Sequence, residues 1–157
     1  MKPNTSGPDC MLKLDDFLPY RLSVLSNQVS QGIAQTYAQA HDLTVTEWRI
    51  MAILGLNDGL SATEVAERSA MDKVSISRAV KRLMGAGRVD RQVDDQDGRA
   101  RTLWLTDSGR RVYEAIAPAA LAYERRLIEV LSNQEQVLLN DLIDRLLAHT
   151  KPVGSDS

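Results

Sequence analysis

Apolar residues recur at helical spacing over most of the chain, and turn signals divide the pattern into segments. The first segment repeats every three or four residues, which predicts an amphipathic helix that begins between Asp15 and Leu18 and reaches about Ala40. Residues 1–13 contain two prolines and a glycine and are predicted to form a flexible arm. The apolar stripe of the helix consists of Leu18, Leu22, Leu25, Val29, Ile33 and Tyr37.

Three capping boxes mark further helix starts. In each, a serine or threonine is followed three residues later by a glutamate, and the two side chains satisfy each other's backbone N–H groups. The boxes begin at Thr44, Ser61 and Ser132. The helix that follows Thr44 ends before Gly59, and its predicted buried side comprises Trp48, Met51, Ala52, Ile53 and Leu56. We interpret Trp48 as a core residue, with the lining of a cavity as the alternative.

The segment 73–86 is predicted to be a helix with two chemically different faces. Asp72 is a suitable N-cap, and glycines at 85 and 87 mark the end. At 100° per residue, the inward face contains Ile76, Ala79, Val80 and Leu83, with Met84 at its edge. The outward face and its flanks carry cations, hydroxyls and one short apolar group: Lys73, Val74, Ser75, Ser77, Arg78, Lys81 and Arg82.

This outward mixture suits the major groove of duplex DNA. Arginine pairs with guanine O6 and N7, serine contacts base edges or phosphates, and an aliphatic group packs on a thymine methyl. The alternative for Arg78, Lys81 and Arg82 is an ordinary solvated helix face.

Residues 88–93 and 102–106 alternate between apolar and polar, as half-buried strands do, and are predicted to form a hairpin. Gly98 supplies the turn, and Arg99 lies at or just past the tip, where it could enter a narrow minor groove. Asp97 holds the loop or orients an arginine by a charge-assisted hydrogen bond, with an ordinary turn aspartate as the alternative. Arg91 and Arg101, at the base of the hairpin, are interpreted as phosphate contacts or braces of the loop.

Charge is distributed unevenly along the chain. The net charge is −2, yet the stretch 73–101 carries eight basic and four acidic residues. This contrast predicts one DNA-facing surface on an acidic body.

Two more helices are predicted after the hairpin. The first runs from about 107 to 131 and is expected to bend at Pro118, and the second begins after Ser132. Together with the helix near the N-terminus, they carry more apolar surface than one small lobe can cover. We therefore expect a two-fold homodimer, with an intramolecular helical cap as the alternative.

The order and spacing of these features resemble the MarR family of winged helix-turn-helix transcriptional regulators. The resemblance covers about residues 15–149, and its most specific part is GRVDRQVDDQDGRARTLWLTDSG at 87–109, with Asp97-x-Arg99, Leu105-Thr106 and Gly109. It implies a mainly α fold with a small antiparallel β wing. The single domain 1–157 would comprise the arm 1–13, dimerisation helices 14–42 and 107–149, and a winged helix DNA-binding lobe 44–106.

The same resemblance implies a function. The chain would be a dimeric, sequence-specific regulator that binds a pseudo-palindromic operator in double-stranded DNA and acts as a repressor. A small-molecule effector, or an oxidant, would favour a spacing of the dimer that no longer fits DNA. In such proteins the effector binds between the dimer helices and the DNA lobe, which here would involve the 18–37 helix, Trp48 and the start of the 107–131 helix.

Other classes of function are poorly supported. Two histidines, no Cys/His metal spacing and no phosphate-binding glycine loop argue against an enzyme, a metal site or a cofactor. Cys10 is the single cysteine, so no intramolecular disulfide is possible. The absence of a long apolar run predicts a cytoplasmic protein without a membrane partner. The remaining alternatives are a winged helix used for protein interaction and a non-specific, nucleoid-type DNA-binding module.

Overall fold

The computed structural model describes residues 12–57, 59–93 and 101–150. In these ranges the chain forms seven α-helices and one two-stranded sheet, which confirms the predicted fold class. A single 3-10 turn, Leu14–Asp16, precedes the first helix. The elements in order are α1 (Leu18–Ala34), α2 (Ala38–His41), α3 (Val45–Leu56), α4 (Ala62–Ser69), α5 (Lys73–Gly85), β1 (Val89–Val93), β2 (Arg101–Leu105), α6 (Asp107–Ile128) and α7 (Asn133–Thr150).

The prediction of one continuous helix to Ala40 is wrong, because α1 ends at Ala34 and a turn separates it from α2. The Thr36 hydroxyl donates to the Ile33 carbonyl at 2.7 Å, and the Thr36 N–H bonds to the same oxygen. These bonds tighten the last turn and end the regular α-helical pattern. The turn places the Tyr37 ring, which is only 1% exposed, against Trp48 at a centroid distance of 5.5 Å.

The three predicted capping boxes are all present. Glu47 N–H donates to the Thr44 hydroxyl, and Glu47 Oε2 accepts from the Thr44 N–H at 2.8 Å. The same reciprocal pair joins Ser61 to Glu64 at the start of α4 and Ser132 to Glu135 before α7. Each box therefore sets the first residue of its helix, as the sequence pattern predicts.

The core around α3 differs from the predicted one. Ile50, Met51 and Leu54 are at most 1% exposed, whereas Leu56 is 79% exposed. The assignment of Leu56 to the buried side is therefore wrong. α3 packs on α4, α5 and β2, so it is covered on several sides, and its apolar residues surround it without a dominant face. Periodicity alone cannot choose the buried side of such a helix.

The connection between α4 and α5 is a tight turn built on a left-handed residue. Ala70 has φ of 52°, and the Met71 N–H bonds to the Ala66 carbonyl, which closes the end of α4. Asp72 then caps α5, because its carboxylate accepts from the Ser75 N–H at 2.8 Å. The predicted helix, turn and helix are confirmed at this point, and α4 and α5 pack against each other.

The hairpin strands pair antiparallel, with Val89 opposite Leu105 and Val93 opposite Arg101. Leu103 is 1% exposed, and its N–H donates to the Leu60 carbonyl at 2.7 Å. This bridge ties the base of the hairpin to the segment before α4.

The start of α6 is anchored to the start of β1. The Thr106 hydroxyl accepts from the Gly109 N–H at 3.0 Å and donates to the Gly87 carbonyl at 2.7 Å. Gly109 lies so close to Arg88 that a Cβ at this position would collide with the Arg88 carbonyl oxygen. A glycine is therefore required here for close approach of two backbones.

The chain divides into two compact units, Met1–Glu114 and Ala115–Ser157. In the second unit, α6 ends at Ile128, slightly before the predicted end, and continues through Pro118. The Gln136 side chain donates to the carbonyls of Ile128 and Leu131 and closes the turn before α7. None of the residues of α7 is buried.

Gly109→Ala should destabilise the fold by about 1–3 kcal/mol or more, because the added methyl group meets fixed backbone. Gly85→Ala is the matched control. A Cβ at Gly85 meets no atom within 4 Å, and Gly85 lies in a helix, so this change should be neutral or stabilising by roughly 0.5–1 kcal/mol. Urea denaturation of both variants measures the difference. Equal stability of the two variants would contradict the role given to Gly109.

Candidate nucleic-acid interface

Helix α5 has one buried face and one exposed face. Ile76, Ala79, Val80 and Leu83 are buried, as predicted from the helical periodicity, while Met84 at the edge is 36% exposed. The opposite face is open, and its apolar member Val74 is 60% exposed. The exposed residues of the helix that carry candidate DNA contacts are Lys73, Val74, Ser77, Arg78, Lys81 and Arg82. The fold thus brings these predicted contacts together on one helix.

The N-terminus of α5 is held by Asp72 and Ser75. The Ser75 hydroxyl donates to Asp72 Oδ2 at 2.6 Å, while Asp72 Oδ1 accepts from the Ser75 N–H. These hydrogen bonds, first that of the hydroxyl and then that of the N–H, hold the pKa of Asp72 below its usual value of 3.8. Asp72 is therefore an anionic cap at neutral pH, and the Ser75 hydroxyl is engaged within the helix.

Arg91 lies beside the start of α5, although it belongs to the hairpin. A small cavity of about 90 Å³ is lined by residues of α4, α5 and β1, including Thr63, Lys73, Ser77 and Arg91. Arg91 faces Leu103 in the strand register. Two cations and two hydroxyl groups therefore converge beside the N-terminus of α5, an arrangement that suits a phosphate group.

Arg82 forms an ion pair within the protein that the sequence pattern does not predict. Its Nε lies 2.9 Å from Oε1 of Glu47, and the two side chains are 59% and 3% exposed. The capping box already accounts for Glu47 in the sequence pattern, so that pattern held no signal for this ion pair. Arg82 is thus fixed to α3 at one edge of the exposed face of α5.

The remaining predicted contacts belong to the hairpin. Arg101 is exposed and lies opposite Val93 at the last described pair of the ladder. Asp97, Gly98 and Arg99 lie outside the described residues, so their predicted roles stay predictions.

A separate cavity lies between α1 and α3. It has a volume of about 140 Å³ and is lined by Ser30, Ile33, Tyr37, Val45, Trp48, Arg49 and Ala52. Trp48 is half-buried and lines this cavity, so its interpretation as a plain core residue is wrong. Its ring is 5.5 Å from Tyr37 and 5.9 Å from Tyr113 of α6, centroid to centroid. These aromatic contacts join α3 to the turn after α1 and to the first part of α6.

The cavity has polar groups beside its aromatic wall. Arg49 Nη2 donates to the Ser30 hydroxyl at 3.3 Å. Burial raises the pKa of Tyr37 to about 12, and the positive charge of Arg49 opposes this shift. The phenol therefore stays protonated at neutral pH. The cavity is therefore small and has a cation, a serine hydroxyl and aromatic side chains among its lining residues.

Two other kinds of site find no support in the described part of the chain. Within residues 12–57, 59–93 and 101–150, no group of three or more His, Cys, Asp or Glu side chains is placed to hold a metal ion. None of the helices in these ranges combines the length and apolar content needed to cross a bilayer.

Comparison with known proteins assigns the fold to a regulator family. A model of the MarR family matches residues 41–100. An HTH-type transcriptional regulator of Bacillus cereus is 28% identical over 152 residues, which make up 96% of this chain and 95% of the relative. A crystal structure of a probable transcriptional regulator from Pseudomonas aeruginosa is 32% identical with a TM-score of 0.67, and the match covers 85% of this chain and 99% of the other.

A third match is a ligand complex. The crystal structure of NadR in complex with 4-hydroxyphenylacetate is 26% identical, with a TM-score of 0.73, over 87% of this chain and 96% of that one. The similarity thus extends well beyond the DNA-binding lobe in all three relatives.

Proposed function

Because this chain belongs to the MarR family of winged helix-turn-helix transcriptional regulators, we propose that it is a homodimeric repressor of sequence-specific operators. The observation that carries the proposal is the exposed cationic face of α5 on a helix whose other face is locked into the core. Members of this family are transcriptional regulators, which confirms the prediction that the chain is not an enzyme. The proposal includes a cytoplasmic location, where a bacterial regulator meets its DNA.

The exposed face of α5 enters the major groove in this proposal. Arg78 pairs with a guanine, and Val74 packs on a thymine methyl group. Lys73, Ser77 and Arg91 hold a backbone phosphate in the cavity beside the helix start. Lys81 contacts the backbone further along, and Ser75 supports the cap that orients the helix.

The hairpin loop reads the neighbouring minor groove. Arg99 inserts into the groove, where negative potential is concentrated, and Asp97 orients the loop. Arg101 at the base of the hairpin contacts a phosphate. These assignments rest on the sequence pattern of the loop.

Dimerisation is supported by apolar side chains that the single chain leaves exposed. Along α1, Leu18, Leu22 and Leu25 are about half exposed, and they line an open groove of about 580 Å³. In α7, seven large apolar residues are 40–71% exposed: Val137, Leu138, Leu139, Leu142, Ile143, Leu146 and Leu147. Surfaces of this kind mark interaction sites, and a second copy of the chain can cover both by two-fold symmetry.

The dimer gives the DNA contacts their spacing. Two copies of α5 held about 34 Å apart meet successive major grooves on one side of the duplex. A ligand that favours a different separation lowers the affinity for the operator, because it binds the two arrangements with different free energies.

We place the effector in the cavity of Tyr37, Trp48 and Arg49. The solved relative that carries 4-hydroxyphenylacetate supports a small aromatic acid as the class of ligand. The Arg49 guanidinium would pair with the carboxylate, and the half-buried Trp48 ring would contact the ring of the ligand.

Arg78→Ala should weaken binding to the preferred duplex by about 1–3 kcal/mol and relax the base preference at one position. Arg99→Ala should also weaken binding, without loss of folding. The control is Arg126→Ala, which removes an exposed arginine from α6. Fluorescence polarisation with duplexes selected from a random pool, in the presence of competitor DNA, measures the effects. Unfolding of Arg99→Ala, or equal losses for Arg78→Ala and Arg126→Ala, would argue against this interface.

Leu142→Glu should raise the dissociation constant of the dimer at least about a hundredfold. Two leucines are affected per dimer, and burial of each contributes about 1.5–3 kcal/mol. Asn140→Glu adds the same charge on the other side of α7 and should leave the dimer intact. Sedimentation equilibrium gives the mass, which should be about twice the 17.4 kDa of one chain for the wild type and for Asn140→Glu. A wild-type protein that stays monomeric at high concentration would refute the dimer.

Saturating 4-hydroxyphenylacetate should lower the affinity for the selected duplex by about fivefold or more, which is within the usual range of coupling free energies. Quenching of Trp48 fluorescence in a Trp104→Phe background reports occupancy of the cavity. The Arg49→Gln variant should bind the duplex with wild-type affinity, and the compound should no longer lower that affinity. Occupancy without any change in DNA affinity would rule out effector control, and no occupancy at millimolar concentration would rule out this class of ligand.

A further inference from the structure

Glu47 is a buried acid that serves two elements of the fold. It is 2% exposed, and its Oε2 accepts hydrogen bonds from the Thr44 N–H at 2.8 Å and the Thr44 hydroxyl at 3.0 Å. Its other oxygen, Oε1, pairs with Nε of Arg82 at 2.9 Å. One oxygen therefore caps α3, and the other holds a cation of α5. A buried carboxylate with these partners has little freedom to reorient.

Arg82 has a different environment from its partner. Its side chain is 59% exposed, although its Nε is bonded to a buried group. The residue follows Lys81 and lies one helical turn after Arg78, so it borders the exposed face of α5. An arginine has five N–H donors, and a single bond through Nε leaves donors for a second partner.

The segment that contains the cap is tied a second time to the chain that follows α5. The Arg88 guanidinium, just after α5, donates to the His41 carbonyl at the end of α2. Arg82 and Arg88 thus attach the segment 41–47 to the end of α5 and the start of the hairpin. This double attachment makes the position of Glu47 relative to α5 well defined.

We propose that Glu47 is a positioning residue for DNA binding, which orients Arg82 so that its exposed guanidinium contacts a backbone phosphate beside the major groove that α5 occupies. The inference rests on the proposed function and adds to it a role for a residue outside the DNA-facing surface. An arginine side chain has a large rotamer entropy, and the bond to Glu47 removes part of that entropy from Arg82 before DNA binds. The phosphate contact then costs less when DNA binds.

The direction of the change in DNA affinity caused by Glu47→Gln distinguishes the positioning role from simple charge repulsion. Simple charge repulsion predicts that Glu47→Gln strengthens DNA binding, since one anion is removed from the protein. The positioning role predicts the opposite, because a neutral amide at this position cannot hold the Arg82 guanidinium as a carboxylate does. Loss of this preorganisation should lower the affinity about twofold to tenfold, which is the effect expected for one immobilised side chain.

The experiment measures the affinity and its salt dependence for the wild type, Glu47→Gln, Arg82→Gln and the double variant, with a duplex that the wild type selects from a random pool. Glu47→Gln should weaken binding and leave the salt dependence unchanged, since Arg82 is still charged. Arg82→Gln should weaken binding and lower the slope of log affinity against log salt by about one. In the Arg82→Gln background, Glu47→Gln should have no further effect on affinity.

Glu64→Gln is the matched control, because Glu64 has the same capping role in α4 and Ser61 is its partner. This variant loses a capping carboxylate and should bind DNA at least as tightly as the wild type. Unfolding midpoints of all variants separate capping from positioning. An equal loss of affinity from Glu47→Gln in both backgrounds would overturn the proposal, since that is the result of a purely structural role.

Two further results are decisive. If the wild type binds the duplex and Glu47→Gln binds it as tightly or more tightly, the positioning role is overturned and the proposed function stands. Absence of salt-dependent duplex binding by the wild type would overturn both.

Discussion

The two-faced character of α5 is the constraint on which the site depends. Ile76, Val80 and Leu83 are at most 1% exposed, and burial of such side chains contributes about 1.5–3 kcal/mol each. This burial fixes the rotation of the helix about its axis, so the cations on the opposite face must project into solvent. Any rotation that hid Arg78 would expose the apolar side chains, at a cost comparable to the stability of a small domain.

Local contacts at both ends of α5 then fix its position relative to α3 and α4. Asp72 caps its first turn, and the left-handed Ala70 holds α4 close before it. Glu47 holds Arg82 near the C-terminal end of α5. Glu47 also lies in the same turn of α3 as Trp48 and Arg49, which line the cavity. The helix that we propose to face DNA and the candidate effector cavity therefore share α3 as a common support.

The sequence predicts α5 well because its cap, its apolar spacing and its glycine stop all agree. The sequence does not predict the buried side of α3, because apolar residues surround this helix and periodicity selects no single face. The prediction that Leu56 is buried is therefore wrong. The end of α1 was missed because burial of Tyr37 against Trp48 is a tertiary effect. The ion pair of Glu47 and Arg82 is also a tertiary contact. The sequence gives no sign of it, because the capping box is a sufficient explanation for the glutamate.

The central claim is that α5 and the hairpin loop that contains Arg99 form one footprint on duplex DNA, which a dimer repeats. Selection of bound duplexes from a random pool, followed by sequencing, tests it most directly. The account predicts two inverted half-sites whose centres are about one helical turn, or 10–10.5 base pairs, apart. A single unrepeated half-site would contradict the repeated footprint, and a bound pool with no sequence preference would contradict base reading by α5.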